Sequence, residues 1–262
     1  MRLKIDFSVN QLPILYRHRF MALIKEALLK SDESYKEKLY PDKKSEFSKV
    51  TKPFCFSVLL PAKRRAEKQL IKIDNDFAVE DTVYFFEDNS NISFFVSSCD
   101  NKFIIHLYNG LLKIGQFQLF DNGIITRQRI HYIREKPIKA ENIAFKTMSP
   151  ILIEDKDENP ILPLDNLEEF NFHFNSIHDR ILKDIRDYGL KRELKFSPIS
   201  IKKQVVKHTL KDFRQQTGKP VMMLTCFSGS FILEGEPEDL KILYQIGIGL
   251  RTGQGFGMID VC

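Results

Sequence analysis

The chain has 262 residues, 43% of them hydrophobic and 11% aromatic, which argues against disorder and fits one large folded domain or two of about 100–150 residues. A net charge of +5 and a pI near 8.9 favour a polyanionic partner only modestly. Cys55, Cys99, Cys226 and Cys262 lack paired spacing, there is no signal core and no apolar run of membrane-spanning length, so a zinc site, a disulfide framework and a membrane partner are not expected, and the reducing cytoplasm is.

Arg2 to Phe7 alternates polar and apolar residues and reads as a half-buried strand with Leu3, Ile5 and Phe7 inward. Leu12-Pro13 leads into a helix whose buried face is Tyr16, Phe20, Leu23, Ile24, Ala27 and Leu28. At about 100° per residue His18, Ala22, Lys25 and Leu29 share the opposite side, which places His18 and Lys25 on one exposed face about 10 Å apart. A polar, lysine-rich stretch, 31–52, follows with Tyr35, Tyr40, Lys43, Lys44 and Lys49. Residues 53–60 read as a second strand, 63–72 as a charged excursion carrying Lys63, Arg64, Arg65, Lys68 and Lys72, and 92–97 as a third strand. A helix over 102–113 precedes 118–134, one long strand or a hairpin turning at Asp121-Asn122-Gly123. Strand, helix, strand, strand, helix, strand is the ferredoxin-like plan.

The second half repeats it. A strand over 143–153, a helix over 167–188, strands over 199–209 and 221–234, a helix over 238–248 and a closing strand over 257–261 are expected. The stretch Leu111 to Gln116 parallels Gly249 to Gln254 between a helix and a strand in each half. Charged residues and Pro137 break the periodicity between Glu135 and Glu141. The expected architecture is therefore α+β, two tandem ferredoxin-like (RRM-like) βαββαβ domains, 1–138 and 139–262. A basic run in the second, Lys202, Lys203, Lys207, Lys211, Arg214 and Lys219, reads either as a solvated face or as a nucleic-acid contact.

Five of the chain's twelve glycines crowd into residues 247–257. The order helix, glycine loop, strand excludes a dinucleotide-binding loop or a P-loop, both of which follow a strand and open a helix. A plain turn needs one or two glycines, so contact with phosphate through backbone amides, with Arg251 and Thr252 at the tip, is favoured over a purely structural turn.

The G-x-G-x-x-x-G-x-G-F-G run, Gly247 to Gly257, resembles the glycine-rich signature of the repeat-processing CRISPR-associated endoribonucleases, the Cas six family of the RAMP group. Tyr16-x-x-x-Phe20 with Leu23 to Leu28, Lys52 to Ser57 and Thr147-Met-Ser-Pro-Ile151 are similar to further family elements in the same order. The resemblance implies two ferredoxin-like domains with a basic cleft, binding of CRISPR repeat RNA, and metal-free cutting of the precursor into guide RNAs with no cofactor. It leaves homodimerisation and association with effector-complex subunits open. It also implies RNA contacts from Lys202, Lys203, Lys207, Arg214, Gly249, Arg251, Thr252, Gly253, Gly255 and Gly257, with catalysis near the first helix.

In metal-free cutting the ribose 2′-OH attacks the adjacent phosphate, leaving a 2′,3′-cyclic phosphate and a 5′-OH. A base, an acid and a cation for the phosphorane are required. Many family members supply a histidine just before the second strand, but this chain has none between Arg19 and Phe103. His18 is then the candidate base or acid, against the plainer reading of a solvated surface histidine, with Lys25 or Lys52 as the cation and Tyr40 assisting. The alternatives are slower cutting by Tyr40, Lys25 and Lys52 without histidine, a weak or inactive repeat-binding subunit, and a generic single-strand RNA-binding module. The last is disfavoured by the lack of an RNP-type aromatic run.

Overall fold

The structure, a computed structural model, describes residues 1–41, 50–87, 90–120 and 123–262. Lys43, Lys44, Lys49 and the residues Asp121-Asn122 of the expected turn lie outside the described residues. In chain order the elements are β1 (Arg2–Ser8), β2 (Gln11–Pro13), α1 (Arg17–Ser31), α2 (Glu33–Leu39), β3 (Phe54–Leu59), β4 (Arg64–Lys72), β5 (Ala78–Phe86), β6 (Asn91–Ser98), α3 (Asn101–Leu112), β7 (Gln116–Phe120) and β8 (Gly123–Ile133). They continue with β9 (Asn142–Thr147), α4 (Leu167–Arg186), β10 (Lys195–His208), α5 (Lys211–Thr217), β11 (Met222–Glu234), α6 (Pro237–Ile246), a 3₁₀ turn (Thr252–Gln254) and β12 (Ile259–Val261).

Two antiparallel sheets carry the same topology. The first runs β3-β6-β1-β8-β7 and the second β10-β11-β9-β12, so in each the first strand of the unit sits between the third and the last. This is the ferredoxin-like arrangement, present twice in tandem. The first core is closed by α1, whose buried face is Phe20, Leu23, Ile24, Ala27 and Leu28, and by α3, started by Asp100, whose carboxylate accepts from the Lys102 and Phe103 amides. The two helices approach so closely that a Cβ on Gly110 would sit 1.8 Å from the Ala27 carbonyl oxygen. Phe54 stacks on Phe103 at 4.3 Å. In the second unit Phe170, Phe174, Phe196, Phe227 and Phe231 form one aromatic core.

The expected charged excursion at 63–72 is instead β4. It pairs along its whole length with β5, and β5 pairs with β2, giving a third sheet ordered β2-β5-β4. β4 hid from hydrophobic periodicity because it is an edge strand with only Ile71 buried. The strand expected over 143–153 ends at Thr147; beyond it Ile151 makes an isolated bridge to Phe227. Among the described residues no helix is long and apolar enough to cross a membrane.

The units are joined through β3 and the start of β1. Arg2, almost wholly buried, donates to the carbonyls of Tyr244 and Ile259 and to Asp260 across the junction, and lies over the Tyr244 ring at 4.2 Å. Ser57 donates to the Met148 carbonyl at 2.5 Å. A guanidinium left without these acceptors would be a buried unpaired charge, so they fix how the units meet.

Candidate nucleic-acid interface and catalytic cleft

The glycine loop, 247–258, packs directly on β3 and on Lys52, two residues before it. A Cβ on Gly247 would lie 2.8 Å from Cys55 Cβ, one on Gly255 2.7 Å from the Phe56 ring, and one on Gly253 3.0 Å from Lys52 Cγ. Thr252 Oγ1 donates to the Phe54 carbonyl at 3.2 Å, and Arg17 Nε donates to the Gly255 carbonyl at 3.3 Å. The loop is also tied to the Thr147 to Ile151 element: the Gly257 amide donates to Pro150, the Met148 amide to Met258, and the Met258 amide to Ser149 Oγ. Two motifs far apart in sequence are thus one hydrogen-bonded unit.

From below the loop is held by His178 of α4. The Gly249 amide donates to Nε2 at 2.9 Å, so Nδ1 carries the proton and donates to the Phe174 carbonyl at 2.7 Å. Burial lowers this imidazole to about 4, with the Phe174 carbonyl opposing, and it stays neutral in the fold. The amides of Ile248, Leu250, Gln254, Gly255 and Gly257 also have partners within the protein. This corrects the expectation of an open anion nest, because most of these donors are spent on the fold. Most of the glycines serve close approach and positive φ. Arg251 at the tip also has positive φ, 59°, a conformation that costs a side-chain-bearing residue on the order of 1 kcal/mol.

A cleft of about 690 Å³ opens beside the loop, lined by Tyr40, Lys52, Arg180, Gly249, Arg251, Thr252 and Gly253 among others. At its edge Lys25 Nζ and Lys52 Nζ each lie 4.7 Å from the centre of the Tyr40 ring. Lys52 Nζ donates to the carbonyls of Leu39 at 2.6 Å and Val50 at 2.9 Å. Among the described residues two of its three protons are used, and the third is left for a ligand. Burial, and then the charge of Lys25, lower Lys52 to about 8. Burial pushes the Tyr40 phenol up, and its hydroxyl has no hydrogen-bond partner among the described residues. Three of the four sequence candidates for catalysis are thereby gathered in one place.

His18 is not with them. The exposed imidazole expected on the helix is packed against Phe120, ring centres 5.9 Å apart, and both ring nitrogens are shielded from solvent. Burial, then the charge of Arg19, lower it to about 4; the Leu15 carbonyl opposes the shift but falls short of hydrogen-bond geometry. It is neutral at physiological pH, weakly basic, and absent from the cleft lining. The helical wheel placed His18 correctly opposite the core of α1 but could not see the second layer that covers it.

Of the second-unit cations, Lys202 and Lys203 are exposed on β10. Lys207 is paired with Asp81 of β5 at 2.6 Å. Arg214 departs from expectation: it is buried, with Nε and Nη2 bonded to Asp74 at 3.1 and 2.5 Å and Nη1 to Thr209 Oγ1. It fastens α5 to the turn between β4 and β5 and has no free face for RNA. Sequence reasoning missed His178 and Gln254, which respectively anchor the loop and hold the buried His208 at 3.1 Å. No local signal distinguishes them.

Two ferredoxin-like units in tandem, with the glycine-rich loop of the second packed on β3 of the first and lysines beside it, form a cleft suited to a polyanion. The profile of the family described as "CRISPR associated protein Cas6, C-terminal" matches residues 133–261. A CRISPR-associated endoribonuclease Cas6 of Pyrococcus furiosus is 29% identical over 170 residues, covering 64% of this chain and 60% of that protein. A second, from Methanocaldococcus jannaschii, is 22% identical over 99% of this chain and 92% of its own. Among solved structures, one described as "An RAMP protein binding different RNA substrates" superposes at a TM-score of 0.75 over the whole chain and 99% of its own, with 18% identity, a likeness of fold. Residues 133–261 thus match the C-terminal part of the Cas6 family, and the chain as a whole is similar to CRISPR-associated Cas6 proteins.

Proposed function

We propose that this protein binds CRISPR repeat RNA and cuts the precursor transcript into guide RNAs without a metal ion, using Lys25, Tyr40 and Lys52 in place of histidine. The observation that carries the reading is the pair of ammonium groups on the Tyr40 ring at the mouth of a cleft walled by the glycine loop. The similar proteins of Pyrococcus and Methanocaldococcus are Cas6 endoribonucleases by name, which supports the reaction class.

In this mechanism the substrate phosphate sits between Lys25, Lys52 and Arg251. The ribose O2′ forms a bond to phosphorus as its proton passes to water, and the P–O5′ bond breaks. Lys52, an easier proton donor than an ordinary lysine because its pKa is near 8, protonates the leaving O5′ and is recharged from solvent. Lys25 stabilises the phosphorane charge. The products are a 2′,3′-cyclic phosphate and a 5′-OH. Loss of a positioned acid costs typically 10²–10⁴-fold.

The test is single-turnover cutting of the host repeat RNA in excess EDTA, with the product ends identified. Cyclic-phosphate ends, and a rate that falls as pH rises through about 8, support the mechanism. Full activity in Lys52→Ala, or dependence on a divalent ion, overturns it. The second reading is a repeat-binding subunit without cutting activity, retained within an effector complex. It is favoured by the absence of any histidine from 20–105, and salt-sensitive binding with no product would establish it.

A further inference from the structure

The β4–β5 hairpin, inserted between β3 and β6 of the first unit, is left unused by the reading above. Residues 63–72 hold five basic side chains and one acidic, Glu67, and all five cations are exposed. β10 holds four lysines and no acidic residue. These two strands together carry more positive charge than the net +5 of the whole chain, so the remainder is net acidic.

They are adjacent in space as well as alike in charge. Asp81 of β5, almost wholly buried, accepts from Lys68 of β4 at 3.2 Å and from Lys207 of β10 at 2.6 Å. Asp74, in the β4–β5 turn, holds Arg214 of α5. One buried carboxylate thereby draws the basic strand of each unit together and neutralises part of their repulsion, leaving Lys63, Arg64, Lys202 and Lys203 to face outward, with Arg65, which pairs with Glu67 at 2.8 Å. Arg64 lies 5.4 Å from the Tyr84 ring and Arg65 5.3 Å from the Phe85 ring, on opposite faces of the hairpin. Lys63, Arg64, Arg65 and Phe85 line a groove of about 530 Å³ together with Glu87 and the buried Phe86, so the hairpin offers cations beside the half-buried rings of Tyr84 and Phe85. That combination suits a flexible polyanion whose bases stack. Exposed edge strands are also charged, most often with lysine, to prevent strand pairing; here two cationic edges, β4 and β10, meet at Asp81, and two arginines lie over aromatic rings.

We propose that the β4–β5 hairpin is a second RNA-binding surface, an arm that takes the phosphate backbone of single-stranded RNA leading away from the cleft and continues onto Lys202 and Lys203 of β10. The proposal rests on the RNA-processing reading. It adds to that reading a contact made by the first unit and independent of cutting.

The test compares wild type with Lys63→Ala/Arg64→Ala/Arg65→Ala, using a synthetic single strand of the host repeat with its flanking spacer, and oligouridylate of equal length, over a range of salt. The expected result is a log–log salt slope shallower by about 2, an affinity weaker by about tenfold on both RNAs, and an unchanged single-turnover cutting rate at saturating protein. A control on the helical face, Lys30→Ala/Lys102→Ala/Lys113→Ala, keeps the wild-type slope. An unchanged slope in the hairpin variant while the wild type binds, or an equal loss in the control, overturns the arm and leaves the cleft reading standing. Absence of salt-sensitive RNA binding in the wild type overturns both.

Discussion

The last helix of each unit is followed by a connection to its last strands, and the two connections differ in what their glycines do. In the first unit three residues, 113–115, join α3 to β7, and a Cβ on Gly115 would meet nothing within 4 Å. In the second, twelve residues join α6 to β12, and a Cβ on any of Gly247, Gly249, Gly253, Gly255 or Gly257 would stand 3.0 Å or less from a neighbour. Four of those five have positive φ as well. The units share a topology, and the short match between Leu111–Gln116 and Gly249–Gln254 falls at equivalent places. Only the second connection has become a contact between units. At its four positive-φ positions a glycine is required by the backbone and by what lies against it; Gly115 is an ordinary turn residue.

The largest effect expected from disturbing the packed connection falls on the group beneath it. Lys52→Ala should lower single-turnover cutting by about 10²–10⁴-fold with repeat binding largely retained, because the loop and β10 stay in place. Gly257→Ala should act on stability instead. Its Cβ would stand 2.0 Å from the Ile248 carbonyl oxygen at a φ of +70°, which destabilises by roughly 3 kcal/mol and lowers the melting temperature by about 6–12 °C. A variant that melts with the wild type would refute the packing account.

Acid should loosen the same connection. The buried His178 has a folded-state pKa of about 4, below the ordinary value near 6.5, so the unfolded chain takes up the proton first. Its contribution is present in full above pH 6.5 and is lost as pH falls towards 4, a loss on the order of 2–3 kcal/mol. His18, at about 4, and His208, at about 3, act in the same direction. Urea melts between pH 7.5 and 4.5 should therefore show stability falling with pH; a flat profile contradicts the neutral His178 that holds Gly249.

Gly253→Ala separates the two roles of the loop. Its φ is ordinary, and the new methyl would stand 3.0 Å from Cγ and 3.1 Å from Cβ of Lys52, which must give by a few tenths of an ångström. The expected outcome is a melting temperature near wild type with cutting reduced by up to about tenfold through displacement of Lys52. The smallest effect belongs to Gly115→Ala, within about 0.5 kcal/mol of wild type by the same melts. A large loss there would erase the contrast between the connections.

Much of this was legible in the chain. The buried face of α1 emerged almost residue by residue, since a 3.6-residue apolar stripe admits little else, and only Tyr16 lies at the margin of the core rather than in it. The β4–β5 hairpin was not, because an edge strand exposed on most of its length carries no apolar alternation. In the candidate site Lys25, Tyr40 and Lys52 could be nominated as types suited to phosphate chemistry, and the structure places them together. His18 and Arg214 were misjudged for one reason: a wheel or a charge run describes an element alone, and each of these side chains is covered by an element distant in sequence.

The sequence by itself determined the tandem βαββαβ order, the inward faces and the exceptional glycine loop, all of which follow from local periodicity and backbone freedom. Tertiary structure alone decided that the loop lies on β3, that most of its amides are spent internally, and that Asp81 joins Lys68 to Lys207. The deciding contacts, Gly249 to His178, Asp81 to Lys207 and Thr252 to Phe54, join residues 71 to 198 positions apart. They depend on burial and distance, which the order of residues along one strand does not encode.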